Sequence, residues 1–191
     1  MSTMTIYLIR HGETIWNQKH LFQGSNDIPL DENGVAVARA TAAGMAEASL
    51  HFDRIYSSPL SRAYETARII CPDQEIEKDD RLREISFGDL EGKVYTDVTA
   101  LPMPAPGGES FESLQNRVQD ILKEIAADPE NQGKKILVSA HGGVIRSVTM
   151  TLKNIPQEEF WTGGVSKNCG VTILDVEGDT FTIREENKIY Y

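Results

Sequence analysis

Strand-like and helix-like runs alternate along this chain, and the alternation constrains the fold more than any other feature. "TIYLIR" (5–10) and "FDRIYSS" (52–58) read as strands, and each leads to a helical pattern, at about 34–49 and 59–70. Further on, "KKILVSA" (134–140) runs through "HGG" into the helical stretch "VIRSVTMTL". This order predicts α/β units built on a mostly parallel sheet. Phe111, Leu114, Val118, Ile121, Leu122 and Ile125 recur at three- and four-residue steps, which predicts an amphipathic helix over about 109–127. The tail "GVTILDVEGDTFTIREENK" alternates around an Asp/Gly turn and reads as a hairpin. A Gly- and Pro-rich stretch, 84–108, is long for a connection in a compact domain, which marks it as a place to look for function.

Three of the inferred strands end in similar chemistry. The first ends in Arg10-His11-Gly12, the second in Ser57-Ser58 with Arg62 in the first turn of the helix that follows, and "KKILVSA" in His141-Gly142-Gly143. Ligands of open parallel sheets bind beyond the carboxyl ends of the strands, and helix N-termini there present free N–H groups to anions. If the strands are neighbours, two arginines and two histidines meet in one crevice suited to a phosphate-like group.

Length and composition narrow the classes. The 191 residues, 40% of them apolar, suffice for one core, so a single domain over 1–191 is expected. The formal charge of −10 argues against nucleic acid or an anionic membrane surface as a partner. Cys71 and Cys169 lack the paired spacing of a zinc or redox site, so no metal is expected. With no apolar run near the roughly 18 residues of a membrane span and no leader-like N-terminus, a cytoplasmic location is expected.

Six segments, in order, carry a resemblance. "LIRHGETIWN" (8–17), "FQGSNDIPLDENG" (22–34), "SSPLSRAYETA" (57–67), "LREISFGDLEG" (82–92), "PGGESFESL" (106–114) and "VSAHGGVIR" (138–146) closely resemble the histidine phosphatase superfamily, the phosphoglycerate-mutase-like group. Val37 is a departure, since relatives often have glutamine there. The tail after about residue 155 matches in general character only. The resemblance implies a three-layer α/β/α sandwich with a mostly parallel central sheet.

It also implies roles. His11 corresponds to the family nucleophile, which would form a phosphohistidine, and a neutral imidazole can attack phosphorus at neutral pH. Arg10, Arg62 and His141 correspond to the phosphate clamp, with Asn17 and Gly142 beside them and Gln23 and Gly24 as contacts to substrate. Glu84 corresponds to the proton donor, a role that requires a protonated fraction at working pH. Gly12 and Gly143 are read as points of close backbone approach. Glu13, Asp89 and Glu91 lie near the motifs and are read as solvated acids, and His20 and His51 as incidental. Tyr95, Leu101, Met103 and Trp161 are candidates either for an apolar pocket wall or for core.

The expected function is a metal-independent phosphomonoesterase with no cofactor, acting on a small phosphorylated metabolite, and a homodimer is among the open assemblies. The alternative is a cofactor-dependent phosphoglycerate mutase. Those mutases carry a longer, more basic insert than "GKVYTDVTALPMPAPGGES" (92–110), which holds one lysine, Lys93, and no arginine. A second alternative is a non-catalytic phospholigand-binding protein, although no clamp residue, nucleophile or acid is missing.

Overall fold

The computed structural model describes residues 3–95 and 102–191. Six strands, β1 (Met4–Arg10), β2 (Arg54–Ser57), β3 (Glu77–Lys78), β4 (Lys135–Ala140), β5 (Val171–Glu177) and β6 (Thr180–Lys188), form one sheet in the order β3-β2-β4-β1-β5-β6. The pairs β1–β4, β2–β4 and β2–β3 are parallel, whereas β5 runs antiparallel to both β1 and β6. The mostly parallel α/β sheet and the terminal hairpin both match the sequence reading. The short piece at 77–78 is the only strand in the extended segment before residue 80; a single turn of 3-10 helix, Asp80–Leu82, follows it.

Period-two alternation places the sheet between two apolar layers. Along β1, Met4, Ile6 and Leu8 enter one core and Tyr7 and Ile9 the other, and Val138 and Leu137 of β4 divide in the same way. Helices α4 (Phe111–Ala127) and α5 (Gly142–Lys153) contribute Leu114, Val118, Ile121 and Val144 to the first core. Helices α2 (Glu32–Glu47) and α3 (Ser61–Ile70) contribute Ala38, Met45 and Ala67 to the second. The periodic apolar face foreseen over 109–127 is the buried face of α4, which starts after a Ser110 cap whose hydroxyl accepts the Ser113 N–H at 3.1 Å. A one-turn helix, α1 (Ile15–Gln18), follows β1 and was not legible as a separate element. Among the described residues no helix is long and apolar enough to cross a membrane.

Register decides what meets at the sheet's edge. Arg10 is level with Ala140 and Ser57 with Ser139, so the residues that follow, His11, Ser58 and His141, leave the sheet side by side. The His11 N–H donates to the Ala140 carbonyl (3.1 Å) and the Ser58 N–H to that of Ser139 (2.9 Å), which carries the strand pairing one residue further. Gly12 is needed just beyond: a Cβ there would lie 2.6 Å from the Gly34 carbonyl oxygen at the start of α2.

Candidate active site

The three strand ends converge on a cavity of about 190 Å³, lined at its floor by Arg10, His11, Asn17, Arg62, Glu84 and Gly142 and higher up by Gln23 and Gly24. His141 sits behind the floor, fully buried, its ring centroid 5.3 Å from that of His11. All nine residues singled out from the sequence therefore come together, eight in the lining and one behind it.

His11 is buried, and its Nδ1 lies 2.6 Å from the Gly12 carbonyl oxygen. A carbonyl can only accept, so Nδ1 carries the hydrogen and Nε2 keeps its lone pair. Burial, followed by the positive charges of Arg62 and Arg10, holds the imidazole well below its ordinary pKa, against a smaller opposite pull from the Gly12 hydrogen bond. The ring is therefore neutral at neutral pH. His141 is lowered in the same way, by burial first and then by Arg62, His11 and Arg10. Its Nε2 is 2.7 Å from the Ser58 hydroxyl.

The guanidiniums are held from behind by backbone carbonyls. Arg62 donates from Nη1 to Asn26 (2.6 Å) and from Nη2 to Gly24 (2.8 Å), and Arg10 donates from Nη1 to Ser166 (2.5 Å). Burial lowers Arg62 to about 10 despite Glu84, which pulls it up, so it stays charged at neutral pH. Arg10 Nε, Arg62 Nε and His141 Nδ1 are buried with no partner in the protein. Buried polar atoms of this kind are rare and call for an explanation; a bound oxyanion would provide one.

Glu84 is fixed by two backbone donors, Ile85 N–H to Oε1 (2.9 Å) and Gly143 N–H to Oε2 (3.0 Å). The second comes from the first turn of α5, so one helix N-terminus serves both the floor of the cavity and this carboxylate. Arg117 anchors the chain that enters Glu84, donating to the carbonyls of Arg81 and Arg83 at 2.7 Å while paired through two bonds with Glu109. The Asn17 oxygen accepts from the Thr14 N–H (3.1 Å), and the Thr14 hydroxyl lies within reach of both that oxygen and Gln23 Oε1. With both amide oxygens occupied by Thr14, Asn17 and Gln23 have their N–H groups left for the cavity they line.

Some residues were missed or misread. Glu91, read as a solvated acid, is instead a staple: its carboxylate accepts from Ser25 N–H (2.9 Å), Asn26 Nδ2 (2.5 Å), Phe87 N–H (3.0 Å) and the Ser25 and Ser86 hydroxyls. Gly24 makes room for it, with φ of +52° and a position where a Cβ would lie 2.2 Å from Glu91 Oε1. Glu13 also has partners, accepting from Gln18 and Asn33, whereas Asp89 is exposed as expected. Asn168, in the tail, donates to the His11 carbonyl at 3.0 Å, and nothing in the local sequence flagged it. Tyr95 and Trp161 line the cavity, joined by Phe22, Phe87 and Phe160. Met103 packs against the core, and Leu101 lies outside the described residues.

A neutral imidazole with a free lone pair, sharing its cavity with the Arg10 and Arg62 guanidiniums beyond parallel strand ends, fits an α/β protein that handles a tetrahedral anion. The chain belongs to the histidine phosphatase superfamily (branch 1), whose family model matches residues 6–189. Among its relatives, a Hydrogenobacter thermophilus protein with a provisional phosphoserine phosphatase name is 33% identical, over 96% of this chain and 95% of that one. A 2,3-bisphosphoglycerate-dependent phosphoglycerate mutase of Parvibaculum lavamentivorans is 34% identical, over 95% and 94%. The crystal structure of phosphoserine phosphatase from Entamoeba histolytica in complex with 3-phosphoglyceric acid superposes with a TM-score of 0.82 at 28% identity, covering 96% of each chain.

Proposed function

We propose that the protein is a phosphomonoesterase that acts on a small phosphorylated metabolite through a phosphohistidine on His11. The observation that carries this reading is the Nδ1–Gly12 hydrogen bond, which aims a neutral, unprotonated Nε2 at the cavity that Arg10 and Arg62 line. In the first step Nε2 attacks phosphorus and the bond from phosphorus to the leaving oxygen breaks. Arg10, Arg62 and His141 hold the non-bridging oxygens and spread their charge, and protonated Glu84 gives its proton to the leaving alcohol. In the second step water attacks phospho-His11, passes a proton to Glu84 and releases inorganic phosphate, so the enzyme returns to its starting state. The two arginines supply the positive charge, and neither step needs a metal.

The mutase reading has support in the mutase-named relatives. Against it stands charge: Arg10 and Arg62 are the two cations in the described lining, both at the floor, and the 92–110 segment adds only Lys93, which is exposed. A bisphosphorylated ligand needs more than that.

Initial-rate phosphate release from p-nitrophenyl phosphate in excess EDTA tests the proposal. Wild type should turn over undiminished by EDTA, and His11→Ala should lose activity by about 10⁴-fold or more. Acid-labile, base-stable phosphate trapped on the wild-type protein should be absent from the variant. Turnover that survives His11→Ala, or that EDTA abolishes, defeats the reading; transfer of phosphate from 2,3-bisphosphoglycerate to a phosphoglycerate at a rate above hydrolysis puts the mutase in its place.

A further inference from the structure

The wall of the cavity differs in chemistry from its floor. Phe22 is the hub of an aromatic cluster, its ring centroid 5.1 Å from Phe87, 5.0 Å from Tyr95 and 6.1 Å from Trp161, and Trp161 lies 4.9 Å from Phe160 and 5.6 Å from Phe87. Phe22 and Phe160 are buried and form the backing, whereas Phe87, Tyr95 and Trp161 are half-buried and offer surface to the cavity they line. Phe87 and Trp161 are inclined at 33° to each other, the remaining contacts of Phe22 and Trp161 at 55° or more, so the cluster is an interlocked wall.

Among the described residues no lysine or arginine lines that wall: Lys93 is exposed, and His20, outside the lining, packs edge-on against Tyr95 with ring centroids 5.8 Å apart. The lining holds Arg10 and Arg62, both committed to the floor, and one carboxylate, Glu84. Arg146 lies across the 163–166 loop, donates to the Glu159 carbonyl and lines a different cavity. The segment "TDVTAL" (96–101) contains no Lys, Arg or His, only Asp97, so it adds no positive charge. A second anionic group on the substrate would lose its hydration against aromatic faces that are themselves electron-rich, with no counter-charge. An uncharged ring, in contrast, would bury apolar surface there.

The geometry points to a substrate class: phosphomonoesters of uncharged, ring-bearing alcohols, in preference to esters such as phosphoserine or phosphoglycerate whose leaving group carries a carboxylate. This inference rests on the proposed phosphatase reading and assigns the leaving-group side of the same site. Phe87 and Trp161 are the residues that set the preference.

The test compares benzyl phosphate with O-phosphoserine and 3-phosphoglycerate, all primary alkyl esters, so that intrinsic leaving-group reactivity does not favour the aromatic one. The kcat/KM for benzyl phosphate should exceed each of the others by at least about tenfold. In Trp161→Ala the benzyl-to-phosphoserine ratio should fall by about tenfold, and Trp161→Phe, which keeps a ring and has no indole hydrogen bond to lose, should preserve it. Calorimetric titration of wild type with each ester separates the two levels of the claim. Tighter binding of benzyl phosphate without turnover supports the substrate class while defeating the phosphatase reading. Turnover with phosphoserine or 3-phosphoglycerate equal or preferred overturns the substrate class and leaves the phosphatase reading standing. A ratio unchanged in Trp161→Ala also overturns it.

Discussion

The floor and the wall of one cavity are built by different rules. The floor is made of strand ends: His11, Ser58 and His141 are levelled by the parallel register of β1, β2 and β4, and their side chains are fixed by backbone groups and by one another. The wall is made of loops, contributed by residues 22, 87, 95 and 160–161, and is held by ring packing and by the Glu91 carboxylate. A sheet edge is rigid because each strand end is hydrogen-bonded to its neighbours, which suits it to the part of the reaction that tolerates least displacement. Loops vary at lower cost to the fold, which suits them to the choice of substrate. The lesson is that phosphate chemistry and leaving-group choice can change independently in this molecule, except where a single group joins them.

Gly143→Ala separates the two with the largest expected effect. The new Cβ would lie 2.4 Å from Glu84 Oε1, the far end of a side chain, so the carboxylate must leave its two backbone donors, and 3.1 Å from the buried Ile85 Cγ2, which must give by a few tenths of an ångström; alanine is the better helix residue in α5, which offsets that local cost. If Glu84 protonates the leaving oxygen, kcat for an alkyl phosphate should fall by about 100-fold. With p-nitrophenyl phosphate, whose leaving group needs no proton, it should fall by less than about tenfold. Equal losses on both esters would assign Glu84 to binding.

Glu91→Ala attacks the join. One carboxylate ties the 24–26 loop, whose carbonyls hold Arg62, to the 86–87 loop, which carries a wall ring. Its loss orphans the part-buried Phe87 N–H, whereas the exposed Ser25 N–H turns to water, and should destabilise the protein by about 1–2 kcal/mol, lowering Tm by roughly 2–8 °C. KM should rise for every ester, because floor and wall loosen together. A variant with unchanged Tm and KM would show that the loops hold their places without the staple.

The same division explains what could be read from the sequence. The floor was legible because its groups are local to strand ends: "LIRHG", "SSPLSR" and "VSAHGG" each place polar residues where an apolar run stops, and the near-continuous apolar character of "IYLI" and "ILV" fits a sheet buried on both faces. The wall was not, since Phe22 and Phe87 look like ordinary core residues until loops far apart in sequence are folded against each other. The one signal available was that both precede motif glycines, in "FQG" and "FGD". Glu91 was misread because an acid is assigned to solvent by default, and its five donors come from two segments about sixty residues apart, 25–26 and 86–87. Asn168 reaches His11 across the β1–β5 edge, a tertiary contact with no local signature.

The smallest effect is also one that belongs to the floor alone. His11 and His141 are both held below their ordinary pKa by burial first, with Arg62 and Arg10 adding to it, so the unfolded chain binds protons more readily than the folded one. Stability then rises with pH through this window: the contribution is complete above about 6.5, the unfolded value, and is lost as pH falls below it towards the folded value. The carboxyls of Asp79 and Asp128, held low by hydrogen bonds to Arg81 for the first and to the Glu130 N–H and Arg54 for the second, lose their contribution only at lower pH, below the ordinary carboxylate range. Between pH 6.5 and 5.5 each buried histidine can therefore account for at most about 1 kcal/mol of lost stability. Urea unfolding at these two pH values should show a drop for wild type that shrinks by up to about 1 kcal/mol in His141→Asn, and by a similar amount in His11→Asn. A drop of the same size in both variants would mean that the floor histidines bind protons as readily in the folded protein as in the unfolded chain, so that burial and the two arginines do not keep Nε2 unprotonated through this pH window.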